Sequence, residues 1–320
     1  MRSLIRRSLL PALAIPAVLA LAACSSGQPA SSAEAGSSTS ETITVSHAQG
    51  ETEVGVNPET VVVFDIGYLS TLDELGVDVA GVPADLRLPE RLQQYTTDDY
   101  AKVGTLFEPD YEAVNELQPD LVIVAGRSAA AYPELAKMYP TIDLTVDQSD
   151  FYGSVSERTT ALAEIFGKED EVTKRLNALD KKIAETRTAA EASGKSGLIV
   201  LTTGGEVSAY GPGSRFGMIH DVLGATPAVA DIEAATHGDA VSFEFIAEAN
   251  PGILYVIDRD ATIGEDGQSA KEVLGNEIVA GTDAWKNGDV VYLDGFDWYL
   301  APSALTSVEN MVSTVAGSLS

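Results

Sequence analysis

Two stretches of this chain repeat one another. Residues 110–127 read DYEAVNELQPDLVIVAGR, and residues 242–259 read SFEFIAEANPGILYVIDR. At a constant offset, Glu112 aligns with Glu244, Glu116 with Glu248, Pro119 with Pro251, Val124 with Val256 and Arg127 with Arg259. Apolar positions align as well: Tyr111 with Phe243, Val114 with Ile246, Leu121 with Ile253. Each copy predicts a short helix, a proline stop, a buried strand, and an arginine just past the strand. Proline ends the helix because it lacks an N–H and crowds the preceding turn. The apolar run that follows suits a parallel strand covered on both faces. Ligands of open α/β sheets bind beyond the carboxyl ends of the strands. The duplication therefore predicts two similar α/β lobes, each aiming one arginine at a shared cleft.

The rest of the chain fits two such lobes. In the first half, strands are expected at 60–65, 78–82 and 141–146, with helices at 67–76 and 128–139, behind a hairpin over 42–54. Phe151 to Phe166 reads as helix. Residues 168–193 form a second helical run without proline or glycine. Val172, Leu176, Leu179, Ile183 and Thr186 give it one apolar stripe. A helix this long either bridges the lobes or lies on the surface of one. The second half begins with strands at 197–201 and 207–210, and YGPGSRFG (210–217) then opens a helix. Val290 to Asp294 is the last strand, Trp298 and Tyr299 follow it, and a helix over 303–315 closes the fold. The expected division is a signal segment at 1–23, a tether at 24–41, an N-terminal lobe at 42–167, a linker helix at 168–193 and a C-terminal lobe at 194–320.

The amino terminus reads as an address. Arg2, Arg6 and Arg7 precede an apolar run from Leu9 to Leu21, and Leu21-Ala-Ala-Cys24 follows. This is a secretory signal. The apolar run is shorter than the roughly 20 residues that a membrane span needs, though an uncleaved anchor is the alternative. Cys24 is the only cysteine, so no intrachain disulfide can form. The Ser-, Ala- and Gly-rich stretch after it reads as a flexible tether.

Charge narrows the partners. The chain has 20 basic and 48 acidic residues, a net charge of −28. Removing 1–23 removes three arginines and no acid, leaving −31. Such a chain is a poor match for nucleic acid or an anionic membrane surface. Its isolated cations are correspondingly informative. From Lys195 onward the only arginines are Arg215 and Arg259, and Arg127 is the only one between Arg91 and Arg158. Arg127, Arg215 and Arg259 all fall in loops after strands. Either each makes a local ion pair, or the three hold an anionic ligand, a role suited to a planar, permanently charged group that stacks on aromatic rings. The glycines and proline of 211–217 let the backbone of that loop pass close to a ligand. The loop lacks the Gly-Lys-Ser/Thr ending of a phosphate loop and the first glycine of a hydrolase elbow. The three histidines, His47, His220 and His237, show no metal-cage spacing. His237 stands in a glycine-flanked loop, and Trp298 and Tyr299 either line the cleft or pack between the last strand and helix.

In these residues the chain resembles the siderophore-binding lipoproteins of ABC importers. The likeness is carried by the LAAC lipobox, the paired Glu-x(6)-Pro units, the single long helix, and YGPGSRFGMIHDVLG, THGDAVSFEF, VIDRD and WYL. It covers residues 41–318. It implies a class III periplasmic-binding-protein fold, α/β, with two Rossmann-like lobes joined by one long helix. The most similar subgroup binds ferric catecholates, including petrobactin-like ones. The resemblance further implies that Arg127, Arg215 and Arg259 neutralise an anionic Fe3+ catecholate complex beside Trp298. It implies that His237 and Tyr299 complete the iron shell when the ligand supplies only four oxygens, phenolate being a hard ligand suited to Fe(III). Glu112 and Glu244 would dock on the permease, although both also suit helix N-termini on their own account. Lipid on the Cys24 thiol would hold a monomeric, non-enzymatic protein to the outer face of the cell membrane. Gly252 departs from the Asp that usually follows the proline of these units. A hydroxamate, haem or corrinoid cargo is a second reading, disfavoured by the three arginines. A siderophore-processing enzyme is a third, for which no nucleophile elbow or dinucleotide fingerprint exists.

Overall fold

Strands Leu121–Val124 and Ile253–Asp258 sit inside two separate sheets, each following a helix that ends in a left-handed residue. A computed structural model describes residues 41–232 and 237–319. The two repeats match closely in conformation. Helix Tyr111–Leu117 is capped by the Asp110 carboxylate and helix Phe243–Ala249 by the Ser242 hydroxyl. Their C-caps, Gln118 at φ 49° and Asn250 at φ 37°, reverse the chain into the proline. The αL turn, one residue before each proline, lets a single peptide step change the direction from helix to strand.

The first sheet is parallel throughout, in the order Ala101–Lys102, Gly81–Val82, Val61–Val63, Leu121–Val124, Thr141–Asp143. Its strands are shorter than the apolar runs predict, because the chain leaves the ladder as soon as it reaches the cleft edge. The second sheet pairs Ser196–Thr203 in parallel with Ile253–Asp258, which pairs in parallel with Val290–Tyr292. It is not wholly parallel. Glu206–Tyr210 returns antiparallel against Ser196–Thr203 through Gly204 and Gly205, whose φ values of 58° and 81° give the tight turn that hairpin strands favour. Asp239–Val241 adds to that edge, also antiparallel. The hairpin Thr42–His47 with Gly50–Gly55 flanks the first lobe.

The long helix spans Glu169–Ser193. Gly167 and Gly194, both left-handed, bound it, and three acids fill its first turn, where the helix dipole favours them. Its stripe packs against helix Phe151–Phe166 on one side and the final helix Leu305–Ser318 on the other. One apolar cluster runs from Leu75, Phe151 and Val155, through Val172, Leu176 and Leu179, to Tyr255, Leu305 and Val308. The two lobes thus share core. Arg175 reinforces this seam: it binds Glu309 through two nitrogens at 3.0 Å and Glu74 at 3.1 Å, tying three helices together. Among the described residues no helix is long and apolar enough to cross a membrane. Cys24, the signal segment and most of the tether lie outside the described residues.

Candidate functional site: an arginine-walled cleft around Tyr299

Three short loops meet where the carboxyl edges of the two sheets face each other. After Leu121–Val124 the chain turns at Gly126 (φ 49°) into a 3-10 turn that presents Arg127. After Ile253–Asp258, the Asp258 carboxylate caps helix Arg259–Ile263 and sets Arg259 at its first position. The third loop, 211–217, folds on itself. Ser214 donates to the Gly211 carbonyl oxygen at 2.6 Å, and the Gly213 amide donates to Asp221 at 2.7 Å. A Cβ on Gly217 would stand 2.6 Å from that same carboxylate, so only glycine lets the loop close and hold Arg215 toward the cleft.

Tyr299 is the hub. Arg259 Nε donates to its hydroxyl at 3.0 Å. Arg127 donates to the carbonyl oxygens of Tyr299 (2.9 Å) and Leu300 (3.2 Å). Arg215 lies with its guanidinium carbon 4.5 Å from the Tyr299 ring centre and 4.8 Å from that of Phe216. The three predicted arginines therefore converge on one side chain. Burial pulls the Arg215 guanidinium below its ordinary value; Tyr299 opposes this, and the nearby Arg127 charge adds to it. Arg259 is shifted the other way, first by its bond to Tyr299. Glu265 at 3.3 Å and Asp260 at 3.6 Å also face Arg259.

The cleft has two chambers on either side of Tyr299 and Leu300. One, of about 430 Å³, is lined by Arg127, Arg215, Tyr68, Gln148 and Asp65 among others. The other, of about 350 Å³, is lined by Arg127, Arg259, Arg87 and Phe107 among others. A larger hollow of about 620 Å³ nearby carries Asp258 and Asp294 with Arg87 and none of the three predicted arginines, so its charge suits an anion poorly.

Trp298 requires a correction. It is 2% exposed and packs in the shared core, away from both chambers. Residues 296–300 form a π-helical turn, held by Asp294, which accepts from the amides of Phe296 (2.9 Å) and Asp297 (3.0 Å). Consecutive side chains of a helical turn diverge, so Trp298 points inward and Tyr299 into the cleft. Such single π turns are frequent at functional sites. His237 is exposed and lines neither chamber. Its neighbour Gly238 (φ 69°) passes so close to Tyr210 that a Cβ would stand 2.7 Å from the ring. Among the described residues no group of three or more His, Cys, Asp or Glu side chains gathers as a metal cage. Glu112 and Glu244 are both exposed in the first turns of the repeated helices, at equivalent positions in each lobe, and neither lines a chamber of the cleft.

Asp65, Tyr68 and Gln148 were not singled out from sequence. Asp65 caps helix Ile66–Glu74 by accepting from the Tyr68 amide at 3.0 Å. Burial raises its carboxyl above the usual range, against the Tyr68 amide and the Arg127 charge, which lower it. Its signal in the sequence was its place at the end of the first strand, just before a helix.

Comparison with known proteins bears on the family and the fold. The family model described as Periplasmic binding protein matches residues 61–295. The petrobactin-binding protein YclQ of Bacillus subtilis is 42% identical over 311 residues, 96% of this chain and 97% of YclQ. Its crystal structure superposes with a TM-score of 0.82, covering 87% of this chain and 99% of that one. The ferric-anguibactin-binding protein FatB of Vibrio anguillarum is 33% identical over 278 residues, 85% of this chain and 86% of FatB. The periplasmic catecholate-siderophore binding protein VctP of Vibrio cholerae, 30% identical, superposes at a TM-score of 0.83 over 87% of this chain and all of its own. These structures are class III periplasmic binding proteins, the two α/β lobes and long helix of this chain superpose on them, and the chain belongs to the periplasmic binding protein family.

Proposed function

We propose that this protein captures an anionic ferric siderophore of the catecholate class in its inter-lobe cleft and delivers it to an ABC permease for iron uptake. The observation that carries the reading is the convergence of Arg127, Arg215 and Arg259 on Tyr299 in a chain whose net charge is −28. A strongly acidic protein repels anions everywhere except where it concentrates cations and screening is weak. Relatives named for petrobactin, ferric anguibactin and catecholate siderophores support the same cargo class.

In this reading the arginines pair with catecholate oxygens through charge-assisted bonds. Catechol rings stack on Tyr299 and on the guanidinium planes. Tyr299 supplies a phenolate oxygen to iron when the ligand leaves a position open, releasing its hydroxyl proton to solvent and exchanging its bond to Arg259 for one to the metal. His237 is the second such donor, and it reaches the iron only if its turn moves over Tyr210. The apolar seam between the lobes restricts closure, so binding uses a largely preformed cleft. Glu112 and Glu244 meet basic residues of the permease, one on each lobe. Lipid on Cys24 keeps the monomer at the outer face of the cell membrane, and no catalytic step is involved.

The test is quenching of intrinsic fluorescence in the full-length protein by ferric tris-catecholate, bis-catecholate and hydroxamate complexes. Trp298, one residue from Tyr299 along the chain, reports arrival of the absorbing chelate. Quenching by catecholates alone supports the cargo assignment. Quenching by the hydroxamate alone refutes it.

A further inference from the structure

The chamber on the Arg259 side of Tyr299 holds two residues that the three converging arginines do not explain. Arg87 comes from the irregular connection before the Ala101–Lys102 strand and crosses to the other lobe. Its Nη2 donates to the Gly264 carbonyl oxygen at 3.4 Å, a long bond to a neutral acceptor. The guanidinium lies against that residue so closely that a Cβ on Gly264 would stand 1.9 Å from Cζ. Among the described residues Arg87 has no carboxylate within ion-pair distance, whereas Arg259 beside it has Asp260 and Glu265. Asp85 lines the same chamber and Asp258 and Asp294 line the adjoining hollow, yet none of them pairs with Arg87, and an exposed arginine without an ion pair is conspicuous in a chain with 48 acids and 20 basic residues.

Phe107 lines the same chamber. It tips a turn fixed by Thr105, whose Oγ1 accepts from the amides of Phe107 and Glu108. Phe107 is 70% exposed; among the described residues the next most exposed large apolar side chain, Tyr292, is 44%. A fixed turn holding a phenyl ring in water and a guanidinium without an ion pair thus line one chamber, which offers a ring face and a positive charge to the same ligand. Leu86, Leu106 and Ile263 supply apolar wall behind them.

We propose that this chamber is a second subsite, which takes a negatively charged aryl arm of the cargo between Arg87 and Phe107. The inference rests on the anionic-cargo reading above. The arm replaces the weak Arg87–Gly264 contact with a charge-assisted bond and stacks its ring on Phe107. A cargo with two separated aromatic ends, one beside Arg215 and one beside Arg87, is thereby preferred over a compact chelate that fills the first chamber only.

Two ferric probes test this: a linear bis-catecholamide chelate carrying a pendant benzoate, and the same chelate without it. Both are titrated against the full-length protein, Arg87→Gln and Phe107→Ala, with circular dichroism as the folding control; both side chains are exposed, so the variants keep the fold. The wild type is expected to bind the benzoate-bearing chelate about tenfold more tightly than the bare one. Each variant is expected to lose about fivefold on the benzoate-bearing chelate and nothing on the bare one, in keeping with single cation, ring and charge-assisted contacts. Equal wild-type affinity for the two probes, or variants that change both probes alike or neither, overturns the subsite while leaving the cargo class standing. Failure of the wild type to bind either probe overturns the cargo reading, and the subsite with it.

Discussion

Replacing Arg215 with glutamine separates affinity from stability. Arg215 is flanked by Tyr299 at 4.5 Å and Phe216 at 4.8 Å, and its charge is disfavoured by burial and by Arg127. In the free protein the substitution loses two cation–π contacts, each about 0.5–2 kcal/mol. It also removes a desolvated charge and its repulsion with Arg127, which offset much of that loss. Net stability should change by no more than about 1 kcal/mol, or roughly 2–4 °C in Tm for a chain of this size. In the complex the same substitution leaves an anionic oxygen without its partner, which costs about 2–4 kcal/mol for an enclosed charge pair. At 1.4 kcal/mol per decade, affinity for a ferric bis-catecholate should fall about 30- to 1,000-fold. Fluorescence titration gives the affinity and a thermal melt of the same sample gives Tm. A Tm drop above about 8 °C with unchanged affinity would show that Arg215 is a packing residue, and the reasoning from an anion site would fail.

Asp65→Asn keeps the helix cap, since asparagine caps about as well as aspartate, and removes the one acid that lines the Arg215 chamber among the described residues; we expect anion affinity to rise about three- to tenfold, in line with a partly screened charge pair, measured by the same titration. The Asp65 carboxyl is raised in the fold, so the stability it contributes is fully present below its unfolded value and is lost as pH rises through the folded one; Asp65→Asn should flatten that fall in a pH series of Tm, and no change in the profile would refute the assignment. Arg175→Met leaves Glu309 without its cation and Glu74 with Arg91 alone, at 3.4 Å; it should cost about 2–4 kcal/mol, lowering Tm by about 5–15 °C while affinity at 20 °C below the melt stays within about twofold. Glu112→Ala with Glu244→Ala should leave cargo affinity unchanged and lower uptake into vesicles carrying the cognate permease by at least about tenfold, with each single change intermediate; full uptake by the double variant would reduce both residues to helix-terminal acids.

Much of the fold was legible because its signals are local. The repeat encodes helix, stop, strand and arginine within eighteen residues, and its steps rest on local rules, with Pro119 and Pro251 as stops and the apolar runs after them as strands; the caps Asp110 and Ser242 emerge in the structure. The three arginines were legible for a different reason, their isolation in an acidic chain. What was not legible depends on contacts between segments far apart. Trp298 and Tyr299 are adjacent and both aromatic, and only the π turn held by Asp294 sends one to the core and the other to the cleft. Arg87 sits in a connection with no periodicity, and its importance arises from Gly264, 177 residues later. Asp221 looks like an ordinary helix-end acid, yet it folds the loop that presents Arg215.

The geometry also bears on how such a site can be held ready without cargo. Three guanidinium groups in one cleft repel one another, and an unoccupied cleft that simply gathered them would spread apart. Here each is anchored by something other than the ligand. Arg127 is held by two carbonyl oxygens, Arg215 by two ring faces, and Arg259 by a phenol, Thr203 and Glu265. Two of the three anchors are neutral, so they orient the charge without cancelling it. The apolar cluster shared across the lobes resists the remaining repulsion, since opening the cleft would expose side chains such as Leu75, Val155 and Leu305. Ordering costs that a flexible cleft would meet on binding are therefore met during folding instead, and the affinity gained is that of a preorganised cation array.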